Sequence, residues 1–193
     1  MVAATLETAT LEAATITGEE LFALGDIGPA ELIDGRIIPM SPTGGEHGRV
    51  ETELAARLRE FARQHKLGWV VAGEAGIFTR RNPDRVRGMD VAFISYMRLP
   101  RLPAGFLTIA PELVVEIISP TDRWIDVQTK IEEYLAIGVD CVWVVDPAAH
   151  SVRVYRASAR MTRLENGDML RGEGLLAGLE ISLAELFGEI GDN

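Results

Sequence analysis

The chain has 193 residues, 47% hydrophobic and 25% charged, with one cysteine and a formal net charge of −10. That length allows one domain of ordinary size or two very small ones, and the composition excludes general disorder. Lone Cys141 excludes a disulfide framework and a cysteine-rich zinc site, and no apolar run approaches the ~18 residues of a membrane span. The N-terminus also lacks the basic start and apolar stretch of a signal peptide, so the protein is expected to be soluble and cytoplasmic, without a membrane partner.

In chain order, residues 1–15 read as a flexible leader. Thr17 and Glu20 form a capping box for a short helix ending near Gly25. ELIDGRIIPM at 31–40 is expected to be a hairpin, turning at Asp34-Gly35. Val50, Leu54, Leu58 and Phe61 recur at helical spacing and predict an amphipathic helix over 47–65. Strands are expected at 69–78, 89–94 and 113–118. A helix follows over 125–137, with Thr121 or Asp122 as cap and Gly138 as stop. Residues 141–145 and 152–155 predict an antiparallel strand pair, and Ser182 starts a last helical turn, AELF. This order fits one α/β domain over 16–193, a mixed β-sheet flanked by helices, with additional N-terminal and C-terminal strands and helices.

Charge is segregated. Residues 1–35 hold seven acids and no base, and residues 172–193 hold five acids and no base. The middle therefore carries all 19 bases against 17 of the 29 acids. A low overall pI thus does not exclude nucleic acid, whose phosphates supply most of the affinity for its binders. The densest basic stretch is TRRNPDRVRG. Arg80, Arg81, Arg85 and Arg87 belong either to an ordinary solvated hairpin loop or to a loop that tracks a nucleic-acid backbone.

Two carboxylates sit where apolar residues are expected. Glu116 interrupts the run LVVEII, and Asp90 opens the strand DVAFI. A buried carboxylate is expensive without a partner, and the partner is either a basic side chain or a cation. Two acids on adjacent strands suit a divalent ion such as Mg²⁺, which takes hard oxygen ligands. The ordinary alternatives are a buried salt bridge for Glu116 and a strand-start aspartate for Asp90. Glu74, after Gly73 in VVAGEAGIF, is a solvent-facing acid or, if it faces inward, a third ligand. Lys130 stands out because the chain has 17 arginines and only two lysines. A compact ammonium approaches a phosphate as a point charge, whereas the ordinary alternative is an Asp126–Lys130 pair worth about 0.3–0.5 kcal/mol. His47, at a helix start, has a surface or capping role as its ordinary reading and positioning of substrate or water as the sharper one.

MDVAFIS, APELVVEIISPTDRWIDVQTKIEEYLAIGVDCVWVVDP and VRVYR together resemble the Uma-two family of predicted endonucleases, formerly a domain of unknown function. The likeness runs from ELIDGRIIPMSP at 31–42 to LAELF at 183–187. It implies a restriction-endonuclease-like fold of the PD-(D/E)xK superfamily. Asp90 is then the first acid and Glu116 the second. Met89 stands in place of the usual proline, and Ile118 in place of the usual lysine. The lysine role falls to Lys130 on the following helix, and Glu74 matches a recurrent acid of the family. The resemblance implies Mg²⁺ or Mn²⁺ as cofactor, catalysis by Asp90, Glu116 and Lys130, and DNA as partner, cut by a homodimer. The alternative is a catalytically weak or inactive member serving as a nucleic-acid-binding or protein-interaction module. Hydrolysis of another phosphoester is a third reading.

Overall fold

The computed structural model describes residues 15–188. Of the leader expected at 1–15, all but Thr15 lies outside the described residues. Helix α1 (Gly18–Ala23) opens on the expected capping box, with Thr17 and Glu20 exchanging hydrogen bonds. Strands β1 (Ala30–Ile33) and β2 (Arg36–Pro39) form the expected hairpin. Both turn residues, Asp34 and Gly35, adopt positive φ, which this turn chemistry permits.

Helix α2 (Gly45–Gln64) buries Val50, Leu54 and Leu58. Strand β3 (Gly68–Arg80) pairs along β4 (Arg85–Ser95) as a long hairpin. Strand β5 (Leu113–Ile117) is buried at every residue, which explains why it is apolar everywhere except at Glu116. Helix α3 (Trp124–Ala136) stops before Gly138, as expected. Its start differs from expectation. Arg123, not Thr121 or Asp122, is the capping residue, because the Asp122 carboxylate accepts from the Ser119 N–H and closes the preceding turn on itself.

Strands β6 (Cys141–Asp146), β7 (Ser151–Arg156) and β8 (Ala159–Glu165) follow. Strand β8 was not legible beforehand, since nearly all its side chains are exposed and none of the usual alternation marks it. Strands β9 (Met169–Arg171) and β10 (Glu180–Ser182) make a small second sheet, and Ser182 caps α4 (Leu183–Phe187). The main sheet runs β2-β1-β4-β5-β6-β7-β8, with β3 on the other edge of β4. Among the described strands only β5 and β6 pair in parallel, joined by α3, so the sheet is mixed.

Helix α2 and the C-terminal segment cover one face, where Val91, Phe93, Val115, Trp143 and Leu183 meet. Helix α3 covers the other, where Val114, Val142 and Val144 meet Val127, Ile131 and Tyr134. Cys141 lies in the first of these cores, and burial pushes its thiol up to about 12. The folded protein is therefore expected to resist iodoacetamide at pH 8, reacting roughly 10³-fold more slowly than an exposed thiol. Mass spectrometry of native against unfolded protein checks this, and rapid native labelling would show the site to be open. No described helix is long and apolar enough to cross a membrane.

Candidate active site

The sheet brings Asp90 and Glu116 side by side. The β4–β5 register pairs Val91 with Val115 and Ala92 with Val114, so the next step along each strand sets the two acids across from one another. Both are buried, at 5% and 7% exposure. Asp90 Oδ2 accepts from the Ile117 N–H at 2.6 Å and lies 3.3 Å from His47 Nε2. His47 projects from the first turn of α2 and is buried, so a surface role is excluded. Its hydrogen bond to Asp90 holds the imidazole above its ordinary pKa against the opposing effect of burial.

Lys130 is not paired with Asp126. Its apolar helix stripe docks on the sheet and carries the ammonium over the strand ends. There Nζ lies 3.0 Å from Glu116 Oε2, 3.1 Å from Glu31 Oε1 and 3.2 Å from the Gly88 carbonyl. Its hydrogen bonds go to Glu116 and the Gly88 carbonyl, and Glu31 stands beside them as an ion-pair partner. Burial would lower this ammonium's pKa, but Glu116 and Glu31 outweigh it and hold the value above its ordinary range. Glu116 Oε1 accepts from the Tyr134 hydroxyl at 2.8 Å. Burial, with a further push from Asp90, nonetheless raises Glu116 to about 8.

Glu74 reaches the same place through a backbone irregularity. Register slips between Ala72 and Ala75, and Gly73 and Glu74 both take positive φ. A bulge of this kind re-aims a side chain. The Gly73 N–H is held by Glu51 of α2 at 2.9 Å, which pins the bulge. Gly88 makes room opposite, since a Cβ there would stand 2.3 Å from Glu74 Oε2. Burial, then the charge of Asp90, raises the Glu74 carboxyl to about 7.

Glu31 was missed in the sequence. It sits in the β1 half of an ordinary-looking hairpin, and nothing local distinguishes it from a surface acid. Its other oxygen accepts from Arg87 at 2.7 Å, and Arg87 also forks onto Glu133 of α3 at 2.8 and 2.9 Å. Glu133 takes Arg85 as well, and burial is outweighed by these guanidiniums, which keep its pKa below the usual carboxylate value. Arg80 and Arg85 both pair with Asp34, and Arg81 bridges Glu19 and Asp84. The four arginines proposed from sequence as backbone contacts are therefore each engaged by carboxylates, which tie the β3–β4 hairpin to α3, β1 and α1.

Four carboxylates, from Glu31, Glu74, Asp90 and Glu116, thus form one cluster with Lys130, His47 and one end of Arg87. The donor set is hard carboxylate oxygen, the kind Mg²⁺ and Mn²⁺ take. Glu74 Oε2 is buried with no hydrogen-bond partner among the described residues, which leaves a lone pair for such an ion. The residues fit a divalent cation on those grounds. As the side chains stand, no three His, Cys, Asp or Glu residues among those described form a metal cage, because Lys130 fills the space between Glu31 and Glu116.

The protein is thus a mixed α/β fold that gathers acids and one lysine at its strand ends. The fold is similar to the crystal structure of "a putative nuclease belonging to DUF820" from Anabaena variabilis, with a TM-score of 0.75 and 24% identity over 89% of this chain and 97% of that one. The chain belongs to the Uma2 family, described as "Putative restriction endonuclease", whose model matches residues 19–184. No curated protein matches it.

Proposed function

We propose that residues 16–193 form a single divalent-metal-dependent endonuclease domain that hydrolyses DNA phosphodiester bonds, working as a homodimer on duplex. Asp90 and Glu116 would hold Mg²⁺ or Mn²⁺, with Glu74 as a third ligand or as the holder of a water. An ion bound there would supply charge to offset the scissile phosphate and would acidify a water. Glu74 Oε2 accepts a hydrogen bond from that water and orients it. The water attacks phosphorus in line and gives its proton to the Glu74 carboxylate, while the bond to the opposite oxygen breaks and that oxygen takes a proton from solvent. Lys130 donates to a phosphate oxygen as negative charge builds, from a position already fixed by Glu31 and the Gly88 carbonyl. His47 holds Asp90 in place. Tyr134 does the same for Glu116.

The observation that carries this reading is the 3.0 Å approach of the Lys130 ammonium to Glu116, beside Asp90, from a helix far along the chain. The test is nicking of supercoiled plasmid by the purified protein with Mg²⁺ or Mn²⁺, lost on addition of EDTA. Failure to cut plasmid, single strands or RNA with either ion would refute it.

One observation favours the binding-module reading. Lys130 is already spanned by Glu31 and Glu116, so the site is electrostatically closed without an ion. Calorimetric titration with Mn²⁺ separates the two. The nuclease reading expects heat that Asp90→Ala and Glu116→Ala each remove, and the module reading expects none.

A further inference from the structure

With Arg80, Arg81, Arg85 and Arg87 all engaged by carboxylates, a nucleic-acid strand needs another cationic path to the site, and the strand register supplies one. Glu116 pairs with Val144, Val144 with Arg153, and Arg153 with Arg163. Directly paired residues point to the same side, so these four form one row across β5–β8, on the α3 side. At about 4.8 Å per strand the row reaches Arg153 roughly 10 Å from Glu116 and Arg163 roughly 14 Å from it.

Arg153 is not engaged as the hairpin arginines are. Its Nη1 stands 3.7 Å from Asp146 and has no hydrogen-bond partner among the described residues. Its guanidinium lies instead 4.7 Å from the centre of the Trp124 ring. Trp124, the first residue of α3, is 44% exposed, and Ile125 beside it is 56% exposed. Arg163 is 48% exposed and pairs with Glu165 at 3.3 Å, an exposed ion pair that a phosphate can displace at little cost. Trp124 is thus an indole with a guanidinium against its ring and much of its surface open to water, on the helix that carries Lys130.

We propose that Trp124 is a stacking platform for an unpaired base, and that Arg153 and Arg163 take phosphates of the same strand, so that the substrate is a single-stranded or locally unpaired polynucleotide. This rests on the nuclease reading of the site and replaces its fully paired duplex substrate with an unpaired strand. Stacking on an aromatic face accepts any base but needs that base out of a duplex.

The test uses the full chain carrying Glu116→Gln, so that the strand survives, and follows the anisotropy of labelled oligothymidylate, oligouridylate and a blunt duplex. Trp124→Ala is expected to weaken single-strand binding ~5- to 150-fold, and Trp124→Phe to restore most of it. Arg163→Gln is expected to flatten the salt dependence by about 0.7 in log–log slope. Tighter oligothymidylate than oligouridylate assigns the strand to DNA and the reverse to RNA; either supports the platform when Trp124→Ala weakens it. If single strands bind but Trp124→Ala only lowers the melting temperature, the indole is a helix clip, and the platform falls while the nuclease reading stands. If neither this protein nor the parent chain binds any of the three, both fall.

Discussion

Glu116→Gln is expected to lower metal-dependent cleavage at least ~10²- to 10³-fold while the protein stays folded. The amide has the shape of the carboxyl, and the carboxyl it replaces is one that burial already raises to about 8. The amide's carbonyl oxygen can still accept from the Tyr134 hydroxyl, so the packing around β5 is kept. What the amide lacks is the charge needed to hold a divalent ion and to answer the Lys130 ammonium 3.0 Å away. Lys130 keeps Glu31 at 3.1 Å as a partner, so it is not stranded. Asp90→Ala and Lys130→Ala are expected to be similarly inactive. Plasmid cleavage rates beside thermal melting curves check this, and wild-type rates from a folded Glu116→Gln protein would remove Glu116 from the chemistry.

Removing the cation has the opposite balance between activity and stability. Lys130→Met leaves Glu31 and Glu116 facing one another with no ammonium between them. Breaking a buried pair by deleting one partner costs about 3–5 kcal/mol, because a charge is left uncompensated. The pH dependence follows from the sign of the Glu116 shift. A carboxyl whose pKa is raised on folding holds its proton more tightly in the native state, so its contribution to stability falls as pH rises from its unfolded value through its folded one. Without Lys130 that folded value moves higher still. The deficit of Lys130→Met is therefore expected to be largest above pH 8 and to shrink towards pH 6. Adding Glu116→Gln should recover much of it, as a coupled pair requires. Urea unfolding in EDTA at pH 6 and pH 8.5 measures both effects, and a single variant as stable as wild type at pH 8.5 would show that the ammonium is not what balances these acids.

Much of this was legible in the residues alone. Apolar spacing of 3.6 on α2 and α3, the Asp34-Gly35 turn and the Thr17–Glu20 cap are local matters, decided within a few residues. Glu116 was conspicuous because a charge inside LVVEII must be compensated by something, and Lys130 because lysine is scarce among so many arginines. The company these groups keep was decided only by the tertiary structure. Glu31 enters the site because the β1–β2 hairpin docks on the start of β4, through the Leu32–Val86 pairing. Glu74 turns inward because a bulge shifts the register of β3 and Gly88 leaves space for it. His47 reaches Asp90 because α2 packs with its first turn over the sheet end. Apart from Arg81–Asp84, the arginines of TRRNPDRVRG pair with acids that lie far away in sequence, on α1, the β1–β2 hairpin and α3, so no pattern in that stretch separates a phosphate-tracking loop from an ion-pair network. Periodicity tells which side of an element is buried, whereas strand register and helix docking decide which buried groups meet.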